Sequence, residues 1–342
     1  MLPTDPRVLH DIVKAYDVRG TVPDQLNADV AYALGVGFAS FCGGDRVLIG
    51  HDMRPSGPEL VDAFARGVRE QGLDVVLLGL ASTDLVYFAA GTLDAPAAMF
   101  TASHNPAQYN GVKFCLAGAK PVGQDTGLDT VKAVAVEVLE GRGPVAAATP
   151  GETSELDLLG AFADHVVSFI DVTSISPLKV VADTANGMGG LVVPAVFERL
   201  TKVSLEVMYG ELDGTFPNHP ADPLQPENQR DLQARVLAGG FDLGLAFDGD
   251  ADRVFLVDEA GRGLSGSATT AILVAFSNRL TAKIHRSIEL IHLPVPRNRF
   301  DDAYYEPLKE LKLQPGTQLA LGLVHLTYGI EGTRRRMGVA DQ

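Results

Sequence analysis

Short β-branched runs alternate with segments of helical period along most of this chain, and no other feature restricts its fold so strongly. Arg46–Gly50, Val75–Gly79, Ala97–Thr101 and Val112–Leu116 read as strands. Between the first two, a helix from about Pro58 to Gln71 carries Leu60, Phe64 and Val68 at four-residue spacing, and another helix begins near Ser82. Strand, helix and strand joined by right-handed crossovers give a mostly parallel sheet. Residues 141–154 are small and flexible and lack large apolar side chains, so they read as a linker. The pattern then restarts. Leu156–Ile170 is helical, Lys179–Asp183 is a strand, and Asn186-Gly-Met-Gly-Gly190 turns into a helix near Leu191. Ser204–Met208 and Phe241–Phe247 are strands flanking a helix from about Glu227 to Ala238, and Val254–Asp258 pairs back. A third unit begins at Gly261, with a helix from about Ser267 to Arg279.

The length fits this reading. At roughly 100–200 residues per domain, 342 residues make two or three domains. Lys plus Arg is 28 and Asp plus Glu is 43, a net charge of −15. Such a balance argues against nucleic acid or an anionic membrane as partner, since both need excess positive charge. It leaves a phosphate ligand open, because a bound cation or a local Arg and Lys cluster can reverse the field. The two cysteines, Cys42 late in a helix and Cys115 in a strand, make no C-x-x-C pair and read as buried thiols. Met1–Asp17 is charged throughout, and no run of about 18 apolar residues occurs, so a reducing, cytoplasmic setting is expected. No signal for a particular oligomeric state is present.

Thr101-Ala-Ser-His-Asn-Pro106 directly follows a strand. Its small residues allow a sharp turn, and Asn105-Pro106 enforces a non-helical one. Ser103 is thereby expected at the rim of the sheet, where loops at strand C-terminal ends carry ligand chemistry. Asn110-Gly-Val-Lys113 then brings Lys113 to the start of the next strand, so a hydroxyl, an imidazole and an ammonium can share one space. A hydrolase triad is disfavoured, because adjacent side chains in a turn rarely form a Ser/His relay. The bland reading of His104 is a turn residue bonded to its own backbone.

Asp248-Gly-Asp-Ala-Asp-Arg253 lies between two apolar strands. Carboxylates at every second position of an extended chain point the same way. Their repulsion is severe unless a cation sits among them, and hard oxygen ligands favour Mg²⁺ or Ca²⁺. A solvated turn needs one Asp, not three. An EF-hand would place a Gly where Arg253 stands, between helices rather than strands, although Glu259 occupies its twelfth position. Lys14-Ala-Tyr-Asp-Val-Arg-Gly20 offers Arg19, either a solvated turn residue or a guanidinium delivered to a phosphoryl group. Asp213-Gly-Thr-Phe-Pro-Asn-His-Pro220 is a Pro-rich loop whose apolar members suggest order.

Together these motifs resemble the α-D-phosphohexomutases, the phosphomannomutase/phosphoglucomutase group. Thr101–Pro106 with Tyr109-Asn-Gly-Val-Lys113 is similar to that family's phosphoserine loop, and Asp248–Arg253 to its metal loop. Tyr16–Gly20 and the Asp213 loop continuing to Pro226-Glu-Asn228 also match, in the family's order over residues 10–275. The resemblance implies tandem α/β/α domains with mixed, mostly parallel sheets: a first domain over 1–140, the linker 141–154, a second domain over 155–258, a partial third over 259–290 and an atypical tail over 291–342. It implies that Ser103 holds the catalytic phosphate, and that Asp248, Asp250 and Asp252 bind Mg²⁺ with the Ser103 phosphate as fourth ligand. Arg19 and Arg253 would lie near the transferring phosphoryl group, and Lys113 and His104 would be acid/base or charge-neutralising groups. The implied reaction interconverts hexose 1- and 6-phosphates through a hexose 1,6-bisphosphate intermediate, with mannose or glucose phosphate as substrate. Phosphoserine brings about −2 charge, and transfer then needs mostly positioning and charge stabilisation. Ala251 matches the mannose/glucose branch better than the glucosamine branch.

The resemblance has limits. A third-domain loop of the form Gly-Glu-x-Ser-Gly-His, which binds sugar hydroxyls in the family, does not follow Gly266, and no Arg-x-Ser-Gly-Thr-Glu-Pro phosphate loop occurs. Gly332-Thr-Arg-Arg-Arg336 shares only a Gly-Thr pair with the latter. Leu293–Arg299, Asp302–Leu308 and Leu321–Leu326 instead resemble the C-terminal strand and loop of a cobalamin-independent methionine-synthase-like barrel, as in a fused or rearranged gene product. Arg334–Arg336 reads as a solvated tail or a phosphate grip. Two readings follow: a phosphohexomutase, an isomerase, impaired by the missing loops; or a non-catalytic, vestigial sugar-phosphate-binding protein that keeps the phosphoserine–metal half-site.

Overall fold

The computed structural model describes residues 4–264, 266–283, 290–294 and 306–322. The chain divides into two compact units, Met1–Gly261 and Arg262–Gln342. The first unit opens with α1 (Val8–Ile12), β1 (Val18–Thr21), α2 (Ala28–Phe41), β2 (Arg46–His51) and α3 (Gly57–Glu70). It continues through β3 (Asp74–Leu80), α4 (Thr83–Thr92), β4 (Ala97–Phe100), β5 (Tyr109–Leu116), β6 (Lys120–Pro121), α5 (Leu128–Leu139) and β7 (Thr153–Glu155). These strands make one sheet of order β1-β5-β4-β2-β3-β7, with β6 beside β5. β4, β2, β3 and β7 run parallel, whereas β5 is antiparallel to β4, β1 and β6.

α3 illustrates why these helices form. Pro58 occupies its first turn, where a missing N–H costs nothing. Leu60, Val61, Phe64 and Val68 then fall on the buried face. That face meets an aromatic cluster in which the Phe38 and Phe114 rings stack at 4.5 Å and Phe64 meets Phe100 edge-on at 5.3 Å. Each such side chain contributes roughly 1.5–3 kcal/mol on burial.

The second half of the unit adds α6 (Leu159–Ser168), β8 (Leu178–Asp183), α7 (Gly189–Phe197), β9 (Val203–Met208), α8 (Arg230–Gly239), β10 (Leu243–Phe247) and β11 (Val254–Asp258). Its sheet has the order β11-β10-β8-β9, antiparallel only between β10 and β11. The apolar face under α4 continues directly into this half. Leu85, Val86 and Met99 share one buried cluster with Phe162, Val192 and Leu245. This shared core locks the two sheets together and brings the ends of β4 and β10 into one cleft.

The tandem, mixed, mostly parallel α/β architecture matches the expectation. Three details differ. Thr153 and Ser154, inside the stretch expected as a linker, belong to edge strand β7 and pair with Val75 and Val76. β5 begins at Tyr109, so Lys113 lies mid-strand rather than at its start. β1 was not marked by the sequence, because four residues with one large apolar side chain carry no readable period.

In the second unit α9 (Gly266–Lys283) exceeds its expected span at both ends, and β12 (Leu290–Pro294) pairs in parallel with β13 (Gln318–Gly322). The expected boundary between a partial third domain and a tail runs through β12. Asn278 of α9 ties down the following turn: its Nδ2 donates to the Glu310 carbonyl at 2.7 Å, and its Oδ1 accepts from the Lys312 N–H at 2.6 Å. Most of the methionine-synthase-like reading, and Arg334–Arg336, lie outside the described residues. Among the described residues, no helix is long and apolar enough to cross a membrane.

Candidate active site

β4 ends at Phe100, and the chain turns through residues 101–108 before returning as β5. Ser103 sits in this turn, fully buried, with φ +51°. A positive φ is uncommon for any residue but glycine and stores backbone strain. The strain is held by bonds on both sides. The Ser103 N–H donates to Thr101 Oγ1 at 2.8 Å, and its carbonyl accepts from Arg54 Nη2 at 2.9 Å. The hydroxyl donates to Asp248 Oδ2 at 2.7 Å and accepts from Arg253 Nη2.

Asp248, Asp250 and Asp252 come together from the loop between β10 and β11, with one carboxylate oxygen of each within 4.8 Å of the others. They do not converge as an extended chain would align them. The loop folds on itself, with the Ala251 N–H donating to the Asp248 carbonyl at 3.1 Å and Ala251 at φ +58°. Gly249 lies hard against the serine loop, where a Cβ would stand 2.4 Å from the Ser103 carbonyl oxygen. Only glycine permits the two loops to approach so closely.

Three negative groups in so small a volume perturb one another. Burial, and then the neighbouring Asp250 and Asp252, raise the Asp248 carboxyl well above its ordinary range. Burial also works against the Asp250 carboxylate, but Lys113 and Thr83 outweigh it and hold its proton affinity low. Lys113 Nζ donates to Asp250 Oδ2 and to Asp252 Oδ2, both at 2.7 Å. Burial disfavours that ammonium, yet the two carboxylates raise its proton affinity overall, so it is a fixed cation. Thr83, at the N-terminus of α4, donates its hydroxyl to Asp250 Oδ2 at 2.7 Å. Asp250 Oδ1 is buried and lacks a hydrogen-bond partner among the described residues. An orphaned carboxylate oxygen beside two further carboxylates suits a hard divalent cation.

Arg19 projects from β1, whose register places it opposite Gly111 of β5. Its Nη1 donates to Asn105 Oδ1 at 2.6 Å, and its Nε to Asp17 at 2.8 Å. His104 turns its Nδ1 to Arg253 Nη2 at 2.7 Å and lies 3.5 Å from Ser103 Oγ. A guanidinium can only donate, so Nδ1 carries the lone pair. Burial, then the Arg253 charge, lower the His104 proton affinity and keep the ring neutral. Beside these groups opens a cleft of about 550 Å³, lined by Tyr16, Arg19, Thr83, Asp84, Lys113 and Asp252 among others.

Residues 10–137 match the phosphoglucomutase/phosphomannomutase α/β/α domain I, and residues 160–261 match domain II. The chain belongs to the phosphoglucomutase/phosphomannomutase family. A phosphomannomutase of Salmonella montevideo is 36% identical over 287 residues, covering 82% of this chain and 61% of its own length. Phosphohexose mutases of Xanthomonas campestris pv. campestris are 39% identical over 262 residues, covering 76% and 57%. A crystal structure of a phosphoglucomutase/phosphomannomutase family protein from Burkholderia thailandensis superposes with a TM-score of 0.72 at 30% identity, over 93% of this chain and 66% of that one. The chain thus spans about three-fifths of the length of the curated relatives it matches.

Every site residue expected from the resemblance to this family lies in the one cleft region: Arg19, Ser103, His104, Lys113, Asp248, Asp250, Asp252 and Arg253. Two further residues join them. Thr83 and Arg54 belong to none of the sequence motifs. The available signal was position, since both follow the C-terminal ends of parallel strands, β3 and β2, where family loops bind ligands.

Proposed function

We propose that the chain is a phosphohexomutase that passes a phosphoryl group between Ser103 and a hexose phosphate, interconverting hexose 1- and 6-phosphates. The observation that carries this reading is the Ser103 hydroxyl. It is buried, held at positive φ, and hydrogen-bonded both to Asp248 of the acidic triad and to Arg253. Asp248, Asp250 and Asp252 would hold Mg²⁺, which when bound offsets the charge of a transferring phosphoryl group. Arg253 and Arg19 neutralise its outer oxygens, as guanidinium forks do for phosphate. Lys113 contributes fixed positive charge at the cleft wall. In the first half-reaction the Ser103 Oγ–P bond would break as phosphorus bonds to a sugar hydroxyl, whose proton is returned to Ser103 Oγ. In the second, the other sugar O–P bond of the bisphosphate would break as Ser103 Oγ–P re-forms and the Ser103 proton passes to the released sugar hydroxyl. Neutral His104 is the group suited to exchange that proton. The cleft volume is in the range of small-molecule sites, and mannose or glucose phosphate is the substrate class the relatives' names support. A hexose 1,6-bisphosphate is then the intermediate and activator. The buried, unpaired Cys42 and Cys115 are consistent with a cytoplasmic protein.

The test is intact-mass analysis of the purified chain after incubation with glucose 1,6-bisphosphate and Mg²⁺. A species heavier by one phosphoryl group is expected and should be lost in Ser103→Ala. A heavy species that persists in Ser103→Ala moves the phosphate elsewhere and overturns the reading. Phosphorylation at Ser103 with no conversion of mannose 1-phosphate or glucose 1-phosphate in a coupled assay leaves the non-catalytic sugar-phosphate-binding alternative.

A further inference from the structure

Arg54 heads the large side chains that are completely withdrawn from solvent among the described residues, yet it touches neither Ser103 Oγ nor the acidic triad. It follows β2 and reaches back beneath the serine loop. Nη1 donates to the carbonyls of Pro106 and Tyr109, both at 2.8 Å. Nη2 donates to the carbonyls of Ser103 at 2.9 Å and Asn105 at 2.7 Å. Nε donates to Asp52 Oδ2 at 3.2 Å, while Asp52 Oδ1 accepts the Arg54 backbone N–H at 3.0 Å. The guanidinium offers five N–H groups, and all five have acceptors.

Stability alone is a weak reason to bury such a group, because a well-packed apolar side chain often serves a fold as well as a buried ion pair. What the guanidinium adds is geometry. Its planar fork fixes three carbonyls of one short loop and a fourth at Tyr109, where β5 begins. One of them belongs to Ser103, whose backbone is in the left-handed region that an unsupported serine leaves readily. Lysine cannot imitate this, since its donors diverge from a single nitrogen.

The second half of the unit closes over the same device. Phe216, in the loop after β9, lies with its ring centroid 5.2 Å from the Arg54 guanidinium carbon. Gly214 of that loop is pressed so near that a Cβ would stand 2.6 Å from Arg54 Cα. The Asp213 loop, which the phosphoryl-transfer reading does not otherwise use, is thus the lid on Arg54.

We propose that Arg54 is the positioning residue for Ser103, setting the hydroxyl toward Asp248 and Arg253 through the loop carbonyls, and that Phe216 keeps water from its guanidinium. This rests on the reading of Ser103 as the phosphoryl carrier. The experiment follows the rate at which the full chain gains phosphate on Ser103 from glucose 1,6-bisphosphate, by intact mass, across bisphosphate concentrations in Mg²⁺. In Arg54→Lys the saturating rate should fall at least about 100-fold, the scale on which a misplacement of about 1 Å acts. The half-saturating bisphosphate concentration and the Mg²⁺ affinity from calorimetry should stay within about threefold, since the Arg54 guanidinium is engaged by Asp52 and loop carbonyls and lysine keeps its charge. Phe216→Leu should slow transfer about fivefold with the same two constants held, because it removes only the ring face over the cation. An unchanged rate in Arg54→Lys, or Mg²⁺ affinity falling in step with the rate, overturns the positioning role. If Arg54→Lys does not fold, Phe216→Leu decides by the same criteria. A wild-type chain that takes no phosphate overturns the Ser103 reading and this inference with it, whereas phosphorylation at equal rates in wild type and Arg54→Lys overturns the inference alone.

Discussion

Ser103 Oγ donates to Asp248 Oδ2 across 2.7 Å, although the two residues are 145 positions apart and lie in loops that follow strands of different sheets. The contact depends on the hydroxyl proton. Once Oγ carries phosphate that proton is gone, and an ester oxygen with about −2 charge behind it faces a carboxylate. The pair then repels unless a cation lies between them.

The phosphorylated chain should therefore depend on Mg²⁺ for stability more than the unmodified chain does. Chelation with EDTA should cost the phosphorylated form on the order of 1–3 kcal/mol more than the unmodified form. Denaturant unfolding of the two forms with and without EDTA measures this. Equal losses would show that phosphate at Ser103 does not face the acidic triad.

Asp250→Asn removes one charge from the triad and keeps the shape. Mg²⁺ affinity should drop at least about tenfold, because a hard cation prefers carboxylate to amide oxygen. Calorimetry checks this, with Asp248→Asn and Asp252→Asn alongside. Unchanged affinity in all three would mean that the triad does not hold the cation.

His219 provides a pH-dependent contribution through a carboxylate outside that triad. Its Nε2 lies 2.9 Å from the buried Asp183 Oδ2, and its Nδ1 lies 2.9 Å from the Pro220 carbonyl. Half-burial opposes the imidazolium, but Asp183 outweighs it and raises the group above its ordinary 6.5. A raised folded value means that the stabilisation is complete below pH 6.5 and fades as pH climbs through the folded value. The stability gap between wild type and His219→Gln should be widest in that acid window and narrow at higher pH. Urea unfolding of both proteins as a function of pH reads it, and a gap that widens with pH would mean that the ring is neutral in the fold.

Turnover should be low in a chain of these 342 residues. The family's third-domain sugar loop does not follow Gly266, and binding energy from remote parts of a substrate normally positions its reacting hydroxyl. A lost charge-assisted contact is worth roughly 1.5–3 kcal/mol. Two or more such losses predict mutase turnover at least about 10³-fold below a full-length relative, at tenfold per 1.4 kcal/mol. The coupled assay on both proteins tests this, and comparable rates would mean that residues after Gly266 supply the contacts by other means.

The alternating α/β plan, the Ser103 turn and the acidic loop are legible in the amino-acid order alone. Each is written in a few adjacent residues: apolar period, small residues before Asn105-Pro106, and three aspartates within five positions. Local chemistry of that kind survives in one dimension. Short edge strands such as β1 and β7 were not legible in that way, since pairing with β5 and β3 rather than their own composition makes them strands. The roles of Arg54 and Thr83 arise from long-range contacts. Arg54 meets its carbonyls 49 to 55 residues away, and Thr83 meets Asp250 across 167. Backbone carbonyls look alike in every sequence, so no residue type announces that a buried guanidinium will gather four of them. The parallel strands decide it, because they deliver the ends of β2, β3, β4 and β10 to one rim, where a buried charge must find partners or not be buried at all.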